Sequence, residues 1–235
     1  VPDLSDVSAT IDILRLLGCR VDREGDADLV DASVLNRSDV PEHLMREMRS
    51  SVIFLGALLA RLGVAELSYP GGCELGPRPI DLHLTALRTL GAVILEEQGV
   101  LCCQNGGLQG REICLSIPSV GATENAMLAA CGCPGLTTII GAAREPEIGD
   151  LQGFLRAMGA QVEGAGTSTV MIRGGVPLHP AEYQVMGDRI AAATYLCGCA
   201  AAAGEVELTG VSPNTLSAVL ACLEEAGCTL HTWPD

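Results

Sequence analysis

The chain has 235 residues, 48% hydrophobic and only 3% aromatic, enough apolar mass for one large domain or two modest ones with a core of Ala, Val, Leu, Ile and Cys. A formal net charge of −15 argues against wrapping nucleic acid or an anionic membrane surface, and leaves small anionic ligands to a few local arginines. The eleven cysteines lie scattered in apolar runs, with no secretory signal before them and no zinc-ribbon spacing, so buried thiols in a reducing compartment are expected, with no metal site. The longest apolar run, Ile190 to Ala203, is too short for a membrane span, and a soluble protein is expected.

In chain order, the sequence opens on Val1-Pro2 without an initiator methionine, and the first predicted element is an amphipathic helix over 11–17 that stops at Gly18 before a strand. Residues 50–69 read as a second helix–glycine–strand unit turning at Gly63. Pro70 to Pro79 then packs three glycines and three prolines into ten residues, which predicts a shaped loop. That loop holds the Cys73 thiol and the Arg78 guanidinium, and Asp81 follows before a helical segment at 84–90. Two readings stand side by side: a tight turn with an incidental cysteine, or a thiol offered to a substrate beside an arginine fork suited to phosphate. The first unit returns over 84–94 with Gly91, over 151–162 with Gly159 and over 219–230 with Gly227. The second unit returns over 122–140 with Gly135 and over 189–208 with Gly204. The chain closes on Trp233-Pro234-Asp235, just after a helix-then-strand pattern begins, so a piece of a longer protein is expected.

The aligned glycines Gly18, Gly91, Gly159 and Gly227 are 73, 68 and 68 residues apart, and Gly63, Gly135 and Gly204 are 72 and 69 apart. Both units therefore share one period near 70, too long for common solenoids. Each period supplies two helices and about four strands, close to a βαβαββ module. An α/β fold built from three such modules in one domain is the expectation.

The repeats, the Gly71-Gly72-Cys73-x-x-Gly76-x-Arg78-Pro79-x-Asp81 loop, and the ordered segments Met48-Arg49-Ser50-Ser51, Ser119-Val120-Gly121-Ala122-Thr123-Glu124-Asn125, Ala143-Arg144-Glu145-Pro146-Glu147-Ile148 and Asp188-Arg189-Ile190 together carry a family resemblance. Over essentially its whole length the chain resembles the UDP-N-acetylglucosamine 1-carboxyvinyltransferase (enolpyruvyl transferase) family. The resemblance implies an α/β prism, an inside-out barrel of βαβαββ modules with helices inside and sheets outside, and an active site between two domains. Residues 1–186 would be most of the cysteine-bearing, substrate-binding domain and 187–235 the start of the other. The implied reaction transfers the enolpyruvyl group of phosphoenolpyruvate to the 3-hydroxyl of UDP-N-acetylglucosamine and releases phosphate. It is the first committed step of peptidoglycan synthesis, in the cytoplasm, with no cofactor, no metal and no obligate protein partner implied. The chain departs from the family pattern in several places. The family's Ser-Gly-Ala-Lys-Asn motif is not in it, nor is the second domain's catalytic aspartate. Pro77 replaces a small alanine, and Ile117 stands where some members carry lysine. The chain alone is therefore expected to be inactive, and residues 187–235 to associate through uncovered apolar helix faces.

By the same resemblance, Cys73 matches the proton donor to C3 of phosphoenolpyruvate, a role open to a thiol still largely protonated at neutral pH. Arg78 matches a phosphate contact, and Pro79, Ile80, Asp81 and Leu82 match the uridine-binding strip, with Asp81 accepting from the uracil imide. Asp81 can equally be the N-cap of the next helix. Pro118, Ser119, Val120 and Gly121 match a diphosphate contact at a helix start, where free N–H groups and the dipole attract an anion; an ordinary serine cap is the alternative. Arg49 matches a sugar-nucleotide contact, Glu145 an acidic residue near the cleft unless it pairs with Arg144, and Arg189 a domain-crossover residue. His43, His83, His179 and His231 form no catalytic pattern, and His83 reads as a supporting or helix-start residue. The related 3-phosphoshikimate 1-carboxyvinyltransferase shares the modules but is disfavoured by Cys73 and the Arg78–Asp81 strip. A non-catalytic nucleotide-sugar-binding homologue is the alternative from another class.

Overall fold

In the computed structural model, which describes residues 1–70 and 79–233, helix α1 (Ser5–Leu16) turns at Gly18 into the hairpin β1 (Arg20–Glu24) and β2 (Ala27–Asp31). Strand β3 (Asp39–Val40) follows, then α2 (Glu42–Glu47), a 3-10 turn (Arg49–Ile53), α3 (Phe54–Leu62) and β4 (Val64–Ser68). Next come α4 (Asp81–Leu90), β5 (Ala92–Glu97), β6 (Val100–Asn105) and β7 (Glu112–Cys114). The run ends with α5 (Val120–Gly132), β8 (Gly135–Ile140), α6 (Pro146–Ala157), β9 (Gln161–Glu163) and β10 (Thr169–Gly174). All of these lie in the first of two units, Val1–Glu182.

Two four-stranded sheets in this unit have one topology. In the order β3-β4-β6-β5, β3 runs parallel to β4 and the other pairs are antiparallel; β7-β8-β10-β9 repeats this strand for strand. Each sheet is thus a βαβαββ module, as the 70-residue period predicts, and α1-β1-β2 repeats a module's last three elements. The strands alternate: Ala92 and Ile94 of β5 are buried while Val93 and Leu95 are exposed, so each sheet turns one face to the helices. Helix α5 is buried on nearly every side, from Ala122 to Cys131, and packs on α3, α4, α6 and β10. A helix apolar all round belongs in a core, and here it is the core's centre.

The period-marking glycines Gly18, Gly91, Gly159 and Gly227 all have φ between +92° and +111°. At Gly91 a Cβ would also sit 2.6 Å from the Gly107 carbonyl oxygen, so the left-handed helix stop and the close return of the chain both require glycine there.

The second unit, Tyr183–Asp235, contains α7 (Arg189–Ala202), a 3-10 turn (Pro213–Leu216) and α8 (Ser217–Glu225). The left-handed stop of α7 falls on Ala203, at φ 53°, one residue before Gly204. No strand forms over 204–208 or 228–230, because among the described residues no neighbouring strand takes up their backbone groups.

Candidate functional site

Cys73 and Arg78 lie outside the described residues; the structure places what flanks them. At the end of β4 the Tyr69 N–H donates to the Gly99 carbonyl at 3.2 Å, and its hydroxyl donates to Glu96 at 2.5 Å. On the far side Arg49, the first residue of the 3-10 turn, donates to the Pro79 carbonyl at 3.5 Å. Two segments 30 residues apart in sequence, both expected at the nucleotide, are therefore neighbours. The turn is held by the fully buried Ser51 hydroxyl, which donates to the Met45 carbonyl at 2.9 Å.

Asp81 is not the N-cap: it is the first helical residue of α4, exposed, and the cap position belongs to Ile80, which has no side chain to cap with. The Asp81 carboxylate thus stands at a positive helix end and remains available to a ligand. Ile80 is 4% exposed and packs into the core, so its side chain anchors the strip and does not wall a ring. Pro79 is exposed and Leu82 half-buried.

Ser119 caps α5, its hydroxyl accepting the Ala122 N–H at 3.4 Å, while the Val120 and Gly121 N–H groups have no hydrogen-bond partner among the described residues. Thr123, fully buried, donates to the Ser119 carbonyl at 2.7 Å and accepts the Ala143 N–H at 3.1 Å. That bond pins the segment before α6 to the first turn of α5. The pinned segment forms one wall of an open cleft of about 470 Å³ lined by Pro118, Gly141, Ala142, Arg144, Glu145 and Ser168. Pro118 and Glu145, read separately from the sequence, thus share one surface. The Glu145 carboxylate accepts the Arg144 backbone N–H at 2.8 Å, rather than pairing with its guanidinium. Arg189 opens α7 in the second unit, after Asp188, whose carboxylate caps that helix through the Ile190 and Ala191 N–H groups at 2.8 and 2.9 Å.

Two titratable groups near the α5 start are strongly shifted. Burial, then the Arg49 charge, lowers the His83 imidazole to about 4 against a weaker opposing pull from Asp81. Burial, then the Glu147 carboxylate on α6, raises Glu124 to about 7. The sequence reading takes His83 as a supporting or helix-start residue and assigns Glu124 no role of its own; the polar Thr-Glu-Asn run interrupting the apolar pattern of α5 is the available signal for Glu124. Among the described residues no group of three or more His, Cys, Asp or Glu is placed to hold a metal ion, and no helix is long and apolar enough to cross a membrane.

The family model described as EPSP synthase (3-phosphoshikimate 1-carboxyvinyltransferase) matches residues 1–235. The chain is 48% identical over 234 residues to UDP-N-acetylglucosamine 1-carboxyvinyltransferase 2 of Caldanaerobacter subterraneus, and 45% identical over 237 residues to UDP-N-acetylglucosamine 1-carboxyvinyltransferase of Shewanella halifaxensis. Each alignment covers 100% of this chain and 56% of the relative, so the chain spans about half the length of the curated relatives it matches. Among solved structures, the enolpyruvyl transferase NikO from Streptomyces tendae superposes with a TM-score of 0.81 at 23% identity, covering 100% of this chain and 57% of the other. EPSP synthase from Acinetobacter baumannii superposes with a TM-score of 0.70 at 22% identity, covering 96% and 52%. Module topology and whole-chain sequence match agree: the chain belongs to the EPSP synthase family of carboxyvinyltransferases and has its fold.

Proposed function

We propose that this chain is part of a UDP-N-acetylglucosamine 1-carboxyvinyltransferase, acting in the cytoplasm on UDP-N-acetylglucosamine and phosphoenolpyruvate. The observation that carries the reading is its 43–48% identity, over nearly all of its length, to relatives bearing that name. In the reaction the sugar 3-hydroxyl adds to C2 of phosphoenolpyruvate and C3 gains a proton. Loss of a C3 proton with expulsion of phosphate then restores the double bond. Cys73 is the donor to C3, and Arg78 neutralises phosphate. Pro79 to Leu82 hold the uridine, with Asp81 accepting from the imide; Pro118 and Ser119 border the diphosphate, which the free Val120 and Gly121 N–H groups meet. Arg49 contacts the nucleotide sugar from the 3-10 turn, Glu145 stands in the cleft, and Arg189 begins the second domain from about residue 187. The Arg49–Pro79 hydrogen bond and the Ser119 cap support this assembly.

Calorimetric titration with UDP-N-acetylglucosamine should give saturable binding to the 235-residue chain, weakened at least tenfold in Asp81→Ala. Parallel titration with 3-phosphoshikimate should give none. Saturable binding of 3-phosphoshikimate alone would assign the chain to the other activity of its family.

A further inference from the structure

Asn125 is fully buried in the second turn of α5, where an unsatisfied amide would cost on the order of 1–3 kcal/mol. Both of its N–H donors and its oxygen are bonded. Oδ1 accepts the Gly56 N–H at 2.7 Å, while Nδ2 donates to the Val52 carbonyl at 3.1 Å and to His83 Nδ1 at 3.1 Å. Val52 and Gly56 are four residues apart, the spacing of an i→i−4 helical bond. The Asn125 amide bridges that donor and acceptor, and the winding changes where it does so: residues 49–53 form a 3-10 turn and α3 begins at Phe54.

The same bonds fix two assignments. The amide oxygen must face the Gly56 N–H and the nitrogen the Val52 carbonyl, so the amide has one orientation. With an amide N–H aimed at it, His83 Nδ1 carries no proton, and the neutral ring keeps its hydrogen on Nε2. That edge of the ring lies against Gly121: a Cβ there would stand 3.1 Å from His83 Cε1 and 3.4 Å from Nε2. Among the described residues Nε2 has no hydrogen-bond partner, and His83 is only 8% exposed.

We propose that Asn125 is a positioning residue for nucleotide-sugar binding: one amide fixes the turn that carries Arg49 and holds His83 as the Nε2–H tautomer, a neutral donor beside Gly121 at the start of α5. It joins the Arg49 turn, the Asp81 helix and the α5 N-terminus into one rigid unit. Burial and the Arg49 cation both keep the ring uncharged, against the opposing charge of Asp81. The inference rests on reading the α5 start as the diphosphate contact.

The test is imidazole nitrogen NMR and UDP-N-acetylglucosamine titration on the 235-residue chain, its Asn125→Asp variant and its His83→Phe variant. Asp keeps the shape and accepts from Gly56, yet has no N–H for His83. Wild type should show an unprotonated Nδ1 that stays so down to about pH 4. In Asn125→Asp the carboxylate should draw a proton onto Nδ1, moving the His83 titration upward, and both variants should bind UDP-N-acetylglucosamine at least tenfold more weakly. A proton on Nδ1 in wild type overturns the proposal, as does wild-type binding that both folded variants keep within twofold. Absence of binding by the folded wild-type chain overturns the functional reading, and the positioning role with it.

Discussion

Two side chains beside the α5 start carry opposite pH dependences that overlap. His83 titrates near 4 in the folded chain against an ordinary 6.5, so between those values the unfolded state binds more protons and stability rises with pH. Glu124 titrates near 7 against an ordinary 4.5, so between those values the folded state binds more protons and stability falls as pH rises. Each limb is worth about 3 kcal/mol, and in the wild type they largely cancel between pH 4.5 and 6.5. Glu124→Gln removes one limb: its stability relative to wild type should climb by about 3 kcal/mol from pH 4.5 to 7 in urea denaturation. A pH-independent difference would show that Glu124 is not held protonated by burial and Glu147. Burial also raises the thiols, Cys103 to about 12 and Cys131 and Cys133 to about 11. At neutral pH a thiol reagent should therefore spare these three and label the exposed Cys114, Cys197 and Cys222.

At the scale of elements, α3 and α5 pack directly against each other, and glycine permits it at two points. A Cβ on Gly56 would fall 2.3 Å from Asn125 Oδ1, and one on Gly132 would fall 2.7 Å from the Ala60 Cβ. Gly149, in α6, faces open space, with nothing within 4 Å of its Cβ position. The two sites should respond oppositely to alanine. Gly149→Ala should stabilise by about 0.5–1 kcal/mol through helix propensity, whereas Gly56→Ala should destabilise by roughly 2 kcal/mol as the helices are forced apart and the Asn125 bridge is strained. Urea midpoints of the two variants check this, and a neutral Gly56→Ala would mean the α3–α5 contact is looser than its geometry.

For the whole molecule, the first unit holds two complete βαβαββ sheets on a shared helical centre, while residues 175–188 lead to the second unit without regular structure and largely exposed. Exposed irregular backbone is where proteases cut. Brief digestion with a protease of broad specificity should release a resistant fragment of about residues 1–182, read by mass spectrometry. Digestion of both units at equal rates would contradict the separate core of the first.

The sequence by itself determined the module: helix periodicity, the left-handed glycines and their 70-residue recurrence are local signals, written within a few residues of where they act. It also picked out Pro118 and Glu145, which share a cleft, and Arg49 and Pro79, which share a hydrogen bond. Only the tertiary structure decided that Asp81 opens α4 without capping it, that Ile80 faces the core, and that strands fail to form over 204–208 and 228–230. It alone brought Asn125 to Gly56, Val52 and His83, across 69, 73 and 42 residues of sequence. The reason is that a buried polar group is explained by partners the chain supplies from far away, and no periodicity along the chain records which partner will arrive.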